Sequence, residues 1–146
     1  MSAARALSLA WTAEAERPAA RLVLVNESTK APIAQRVELA VSRTERRRGL
    51  LGRPRLDSDA ALVLTPCFAV HTAGMQFPID VVFVNRQGVA VRIVRSLSPW
   101  RIAVAMAAKA VIELSAGSVA RCDLRTGDRV ALVREDGTAT RVPLVR

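Results

Sequence analysis

The sequence predicts a mainly β domain, a small barrel-like or sandwich fold with one or two short helices. Three observations carry that prediction: short apolar segments of strand length, turn residues punctuating them at regular spacing, and two hairpin signals. Strands are expected at about residues 21–25, 36–41, 60–64, 79–85, 89–95, 110–114, 129–134 and 140–144. Between Val84 and Val89 the run Asn85-Arg86-Gln87-Gly88 reads as a hairpin loop. Asp136-Gly137 reads as a second, because both residues tolerate positive φ.

Two short helices interrupt the strands. Ser42-Arg43-Thr44-Glu45 fits a capping box, in which the Ser hydroxyl and the Glu carboxylate satisfy free backbone donors, and Gly49 or Gly52 closes the same helix. Arg46, Arg47 and Arg48 then fall in its last turn, where cations offset the helix dipole, which favours a solvated face over a phosphate site. Ser118 is expected to cap a second helix running to about Leu124, with Gly127 as its stop. Residues 101–109 read as loop or one weak turn, and no internal repeat is visible.

With 51% hydrophobic residues among 146, the chain has material for one core, and a single domain is expected over residues 19–146. Residues 1–18, where small and charged groups alternate without a period, are expected to be poorly ordered. The formal charge of +9 is spread along the chain apart from Arg46–Arg48, it is almost all arginine, and five aromatic residues give little to stack on bases. Nucleic acid is therefore not the expected partner. Cys67 and Cys122 are too few for a disulfide framework, and read as a free buried pair or a single bridge. The best apolar stretch, residues 102–114, is broken by Lys109 and Glu113 and falls short of the ~18 residues of a membrane span. Ser8 and Thr12 dilute the N-terminal apolar stretch, so it makes a poor secretory signal and a cytoplasmic protein is expected.

The chemically loaded residues are few. In Ile79-Asp80-Val81-Val82-Phe83-Val84, alternation puts Ile79, Val81 and Phe83 on one face and Val82 and Val84 with Asp80 on the other, so the strand should be buried on both. Asp80 then needs hydrogen bonds from backbone N–H groups of the His71–Pro78 loop, or a cation such as Arg48 or Arg53, because an unpaired buried charge is costly. The alternative is a pocket carboxylate with a shifted pKa. Glu113, alone among Val111, Ile112 and Leu114, reads as an edge or solvent-facing charge, or else converges with Asp80 on one cavity to divide acid and base roles. His71, the single histidine, follows Cys67 by four positions; with Cys122 this could make three zinc ligands or a thiol–imidazole pair, but the second close ligand pair of a zinc site is missing. No GxSxG, GxxxxGK[ST] or HExxH signature is present. No metal or cofactor is expected.

Four motifs in order, RRRGLLGR (46–53), PCFAVHTAGMQFPIDVVFVNRQGVAV (66–91), VIELSAG (111–117) and TGDRV (126–130), closely resemble the bacterial and archaeal domain of unknown function 192, also named uncharacterised protein family 0127, over about residues 37–133. The resemblance implies a small β-barrel-like or sandwich domain and no established reaction. Motif positions carried onto this chain are Arg48, Gly49, Leu50, Arg53, His71, Thr72, Met75, Pro78, Asp80, Glu113, Gly117, Gly127 and Asp128. Many members have Trp-Met where this chain has His71-Thr72, which speaks against His71 as a shared general base. Many also carry an export leader, which does not transfer here.

The leading functional expectation is a non-catalytic module binding a small molecule or protein in a shallow pocket drawn from Arg48, Arg53, His71, Thr72, Met75, Asp80 and Glu113. The alternative is a hydrolase or lyase in which Asp80 and Glu113 act as acid and base while Arg53 holds an anionic substrate through its planar fork. A third reading gives Asp80, Glu113 and Asp128 purely structural work at strand ends and turns.

Overall fold

A strand that is apolar on both faces obliges the chain to build on both sides of it. In the computed structural model, which describes residues 21–135, 140–142 and 144, all six residues of Ile79–Val84 are buried. The elements run β1 (Arg21–Asn26), β2 (Pro32–Ala34), β3 (Arg36–Ala40), α1 (Arg43–Arg48), β4 (Ala60–Leu64), β5 (Ala69–His71), β6 (Ile79–Val84), β7 (Ala90–Leu97), β8 (Ile102–Val104), β9 (Ala110–Ser115), α2 (Ser118–Arg121), β10 (Val130–Glu135) and β11 (Thr140–Val142). They form a five-stranded sheet in the order β3-β4-β9-β6-β7, a four-stranded sheet β11-β10-β1-β2 and a two-stranded ribbon β5-β8. The fold is mainly β, with its sheets stacked rather than closed into a barrel. Strands β3 and β4 are parallel, joined through α1, and every other pair is antiparallel.

The five-stranded sheet divides two cores. On one side Val82 and Val84 meet Leu24, Leu132 and Val130 of the four-stranded sheet, together with Val119 and Leu124 around α2. On the other, Ile79, Val81 and Phe83 meet Leu50 after α1 and Val70 and Ala103 of the β5-β8 ribbon. The alternation expected for this strand is therefore the plan of the whole molecule. Each fully buried side chain of this size stabilises the fold by roughly 1.5–3 kcal/mol relative to exposure.

Local chemistry sets the connections. The Ser42 hydroxyl accepts the Glu45 N–H at 3.1 Å and the Glu45 carboxylate accepts the Ser42 N–H at 3.0 Å, the reciprocal box that the sequence signals. Gly49 closes α1 at φ +48°. In the 85–88 turn the Asn85 side-chain oxygen accepts the N–H groups of Gln87 and Val89, both at 3.0 Å. Gly88 is needed there: its φ is +79°, and a Cβ would lie 2.9 Å from the Val130 carbonyl oxygen. Asp136-Gly137, the other expected hairpin turn, lies outside the described residues.

Three short strands, β2, β5 and β8, were not expected, and β8 occupies part of the stretch read as loop or weak turn. Three residues are too few to show a period of two. The second helix is also shorter than expected and starts differently. Gly117, at φ +91°, is its cap, and Ser118 lies inside it with its hydroxyl 2.8 Å from the Ser115 hydroxyl. The reason lies on the neighbouring strand: the free N–H groups at this helix start are taken by the Asp80 carboxylate of β6.

Candidate functional site

Register places the two buried carboxylic residues on opposite faces of the five-stranded sheet. Asp80 of β6 lies opposite Leu114 of β9, whereas Glu113 lies opposite Val81 of β6 and Leu62 of β4. Residues directly opposite in an antiparallel pair share a face and neighbours along a strand do not. Asp80 therefore points toward α2 and Glu113 toward α1. An acid–base pair built from these two carboxyl groups has no geometry to work in.

Asp80 is 1% exposed and fully occupied. Its carboxylate accepts the N–H groups of Ser96 at 2.9 Å, Gly117 at 3.1 Å and Val119 at 2.9 Å. Backbone donors were expected, but from the His71–Pro78 loop; they come instead from β7 and the start of α2. A register shift between β6 and β7 opposite Asp80 takes Ser96 out of the regular ladder, at φ +48°, and aims its N–H at the carboxylate.

Glu113, read from sequence as an edge or solvent-facing charge, is 4% exposed on the middle strand of its sheet. Its Oε2 and Thr65 Oγ1 are the buried side-chain oxygens that lack a hydrogen-bond partner among the described residues. Burial pushes the Glu113 carboxyl up to about 7, against a smaller opposing pull from the nearby Arg53 guanidinium. The group stands in the wall of a cavity of about 70 Å³. Leu50, Leu64 and Met75 supply apolar wall, and Cys67 and His71 supply polar atoms. Arg46, Arg47 and Arg48 line the cavity from α1, and none of them takes part in an ion pair among the described residues.

Of the residues expected to share a pocket, Arg48, His71, Met75 and Glu113 line this cavity. The other three are placed elsewhere. Arg53 forks onto Glu38 at 3.1 and 2.7 Å, and this bond holds the Glu38 carboxyl below its usual range. The Thr72 hydroxyl is buried, donating to the Ser98 carbonyl at 2.6 Å and accepting the Arg101 N–H at 2.9 Å. Asp80 is across the sheet. Arg46 and Arg47 join the site beyond expectation; the capping box places them in the last turn of α1, but nothing local shows that this turn faces Glu113.

Burial pushes the Cys67 thiol up, away from the thiolate a nucleophile needs, and its hydrogen points to the Ala69 carbonyl. Cys67 packs on one core and Cys122 on the other, so the two are free thiols separated by the sheet. Among the described residues no three His, Cys, Asp or Glu side chains gather to hold a metal ion. No helix among them is long and apolar enough to cross a membrane.

Two crystal structures share this fold. One, a protein of unknown function from Novosphingobium aromaticivorans, is 22% identical with a TM-score of 0.65, aligned over 75% of this chain and 81% of its own. The other, a Sinorhizobium meliloti protein provisionally named a transcription regulator, is 24% identical with a TM-score of 0.63, over 78% of this chain and 95% of its own. At such identities the likeness establishes the fold. No curated protein matches the chain significantly. The profile of DUF192, described as an uncharacterised ACR, matches residues 23–132, from within β1 into β10 and across every motif discussed above: the chain belongs to the DUF192 family.

Proposed function

We propose that the protein is a binding module that captures the carboxylate end of a small molecule or peptide in the Glu113 cavity. The observation that carries this reading is the Glu113 Oε2, which has no hydrogen-bond partner among the described residues and is buried in the wall of a cavity lined by Arg46, Arg47 and Arg48. A buried polar atom without a partner costs about 1–3 kcal/mol, and a ligand that completes it recovers that cost. The volume selects a small group: about 70 Å³ is roughly half of the 150 Å³ cavity that holds a benzene ring, which leaves room for a carboxylate and its first carbon rather than a whole cofactor. The charges select its sign, because Arg46, Arg47 and Arg48 form no ion pair among the described residues and attract an anion, although the Arg46 guanidinium already donates to the Val41 carbonyl. In its protonated form Glu113 donates a hydrogen bond to a ligand carboxylate, a charge-assisted contact of the stronger kind.

Affinity should follow the proton on Glu113. Titration of the ¹⁵N-labelled protein with acetate and propionate should move the amide resonances of Leu50, Met75 and Glu113 at about pH 6, with affinity falling about tenfold for each pH unit above 7. Glu113→Gln keeps a neutral donor, so it should bind without that pH dependence, and Glu113→Leu should not bind. Perturbations equal at pH 6 and 8.5, or unchanged in Glu113→Leu, would sink the reading. Stronger binding of inorganic phosphate than of either carboxylate would replace it with a general anion site.

A further inference from the structure

A second unpartnered surface lies on the outer side of the β5-β8 ribbon. The ribbon turns Val70 and Ala103 inward onto the second core, which leaves Ile102 and Val104 on its outer face. Ile102 is 74% exposed, Trp100 69% and Met106 77%. Met106 and Phe68 flank an open, mainly apolar hollow of about 510 Å³ that also carries Lys109. These side chains are not on a loose tip. The Trp100 N–H donates to the Thr72 carbonyl at 3.0 Å, the Arg101 N–H donates to the Thr72 hydroxyl at 2.9 Å, and Trp100 is held at φ +64°. The fold thus fixes large apolar groups in water, an arrangement that marks an interaction surface.

Charge says what covers it. Between Pro66 and Ile112 the sole acidic residue is Asp80, which is buried and saturated, whereas Arg86, Arg92, Arg95, Arg101 and Lys109 are all cationic. None of these five forms an ion pair among the described residues. Arg101 sits between Trp100 and Ile102, the Arg92 guanidinium donates to the Val104 carbonyl, and Lys109 edges the hollow. Exposed aromatic and aliphatic groups interleaved with cations that form no ion pair among the described residues match an interface of acyl chains beneath lipid phosphates. A fluid anionic leaflet neutralises such scattered cations without fixed register, whereas a folded protein partner does so only where its acidic groups match their positions.

We infer that this surface docks on an anionic phospholipid bilayer, with Phe68, Trp100, Ile102 and Met106 among the acyl chains and Arg92, Arg101 and Lys109 against lipid phosphates. The hollow shares Cys67 and Ala69 with the wall of the Glu113 cavity, and Ile102 is paired with His71 of that wall, but the proposal does not rest on a ligand in that cavity. Flotation with vesicles of phosphatidylcholine, with and without about a third phosphatidylglycerol, tests it. The wild-type chain should float with the anionic vesicles, and more weakly with the zwitterionic ones. The Ile102→Asp, Met106→Asp double variant, changed at exposed positions and expected to melt like wild type, should lose binding by about tenfold or more. In a Trp11→Phe background Trp100 is the remaining tryptophan, and its emission should shift to the blue on anionic vesicles. Failure of the wild type to float at low salt, or equal flotation of the double variant, overturns the proposal. So does a dimer in light scattering that the double variant dissolves, because the surface would then be covered by a second copy.

Discussion

Asp80 and Glu113 sit on adjacent strands, one register step apart and comparably buried, yet their surroundings are opposite. Asp80 is surrounded by donors: three backbone N–H groups converge on it and tie β6 to β7 and to the start of α2. Glu113 stands in the wall of a mixed apolar and basic cavity, with an oxygen unmatched among the described residues and a proton held up to about 7. Equal burial does not mean equal work. The saturated carboxylate is a joint in the framework, whereas the unsaturated one is a cost that the framework carries, and its cavity is where something else can complete it.

The largest effect should come from the joint. In Asp80→Asn the amide NH₂ must face at least one N–H that the carboxylate now accepts, so a donor meets a donor in the interior. A loss of about 3 kcal/mol in urea unfolding is expected, and a loss below about 1 kcal/mol would show that the three bonds are replaceable. The smallest effect should come from Arg53, whose fork onto Glu38 lies at the surface. Arg53→Ala should change stability by less than about 1 kcal/mol. It should also move the Glu113 midpoint upward, because the guanidinium pulls that pKa down. A large stability loss would mean that Arg53 works in the framework after all.

Much of the framework was legible in sequence. The two-faced apolar strand, the capping box and the Asn85 turn each rest on chemistry within a few residues, and each stands in the structure as expected. Features decided by distant pairing were not legible. The partners of Asp80 lie 16 to 39 positions away, and the helix at Ser118 starts one residue from its expected cap because those distant oxygens occupy its donors. Glu113 was misread for a related reason. A lone charge in an apolar strand belongs at an edge by local logic, and its burial on the middle strand follows from the order of the whole sheet. Of the candidate site, Arg48, His71, Met75 and Glu113 are the residues legible in the sequence, each from its motif, whereas their convergence on one cavity is a product of the fold.

The most direct test of this division of labour is the pH dependence of stability in wild type and Glu113→Gln. The folded pKa of Glu113, about 7, lies above its ordinary value of 4.5, so between the two the folded protein holds a proton that the unfolded chain releases. Its contribution is fully present below about pH 4.5 and is lost as pH rises through about 7, a difference of about 3 kcal/mol at 1.36 kcal/mol per pH unit. Urea unfolding from pH 4.5 to 8.5 should therefore show wild type losing about that much more stability than Glu113→Gln. Parallel curves for the two proteins would mean that Glu113 titrates as an ordinary satisfied carboxylate, and the contrast with Asp80 would fall.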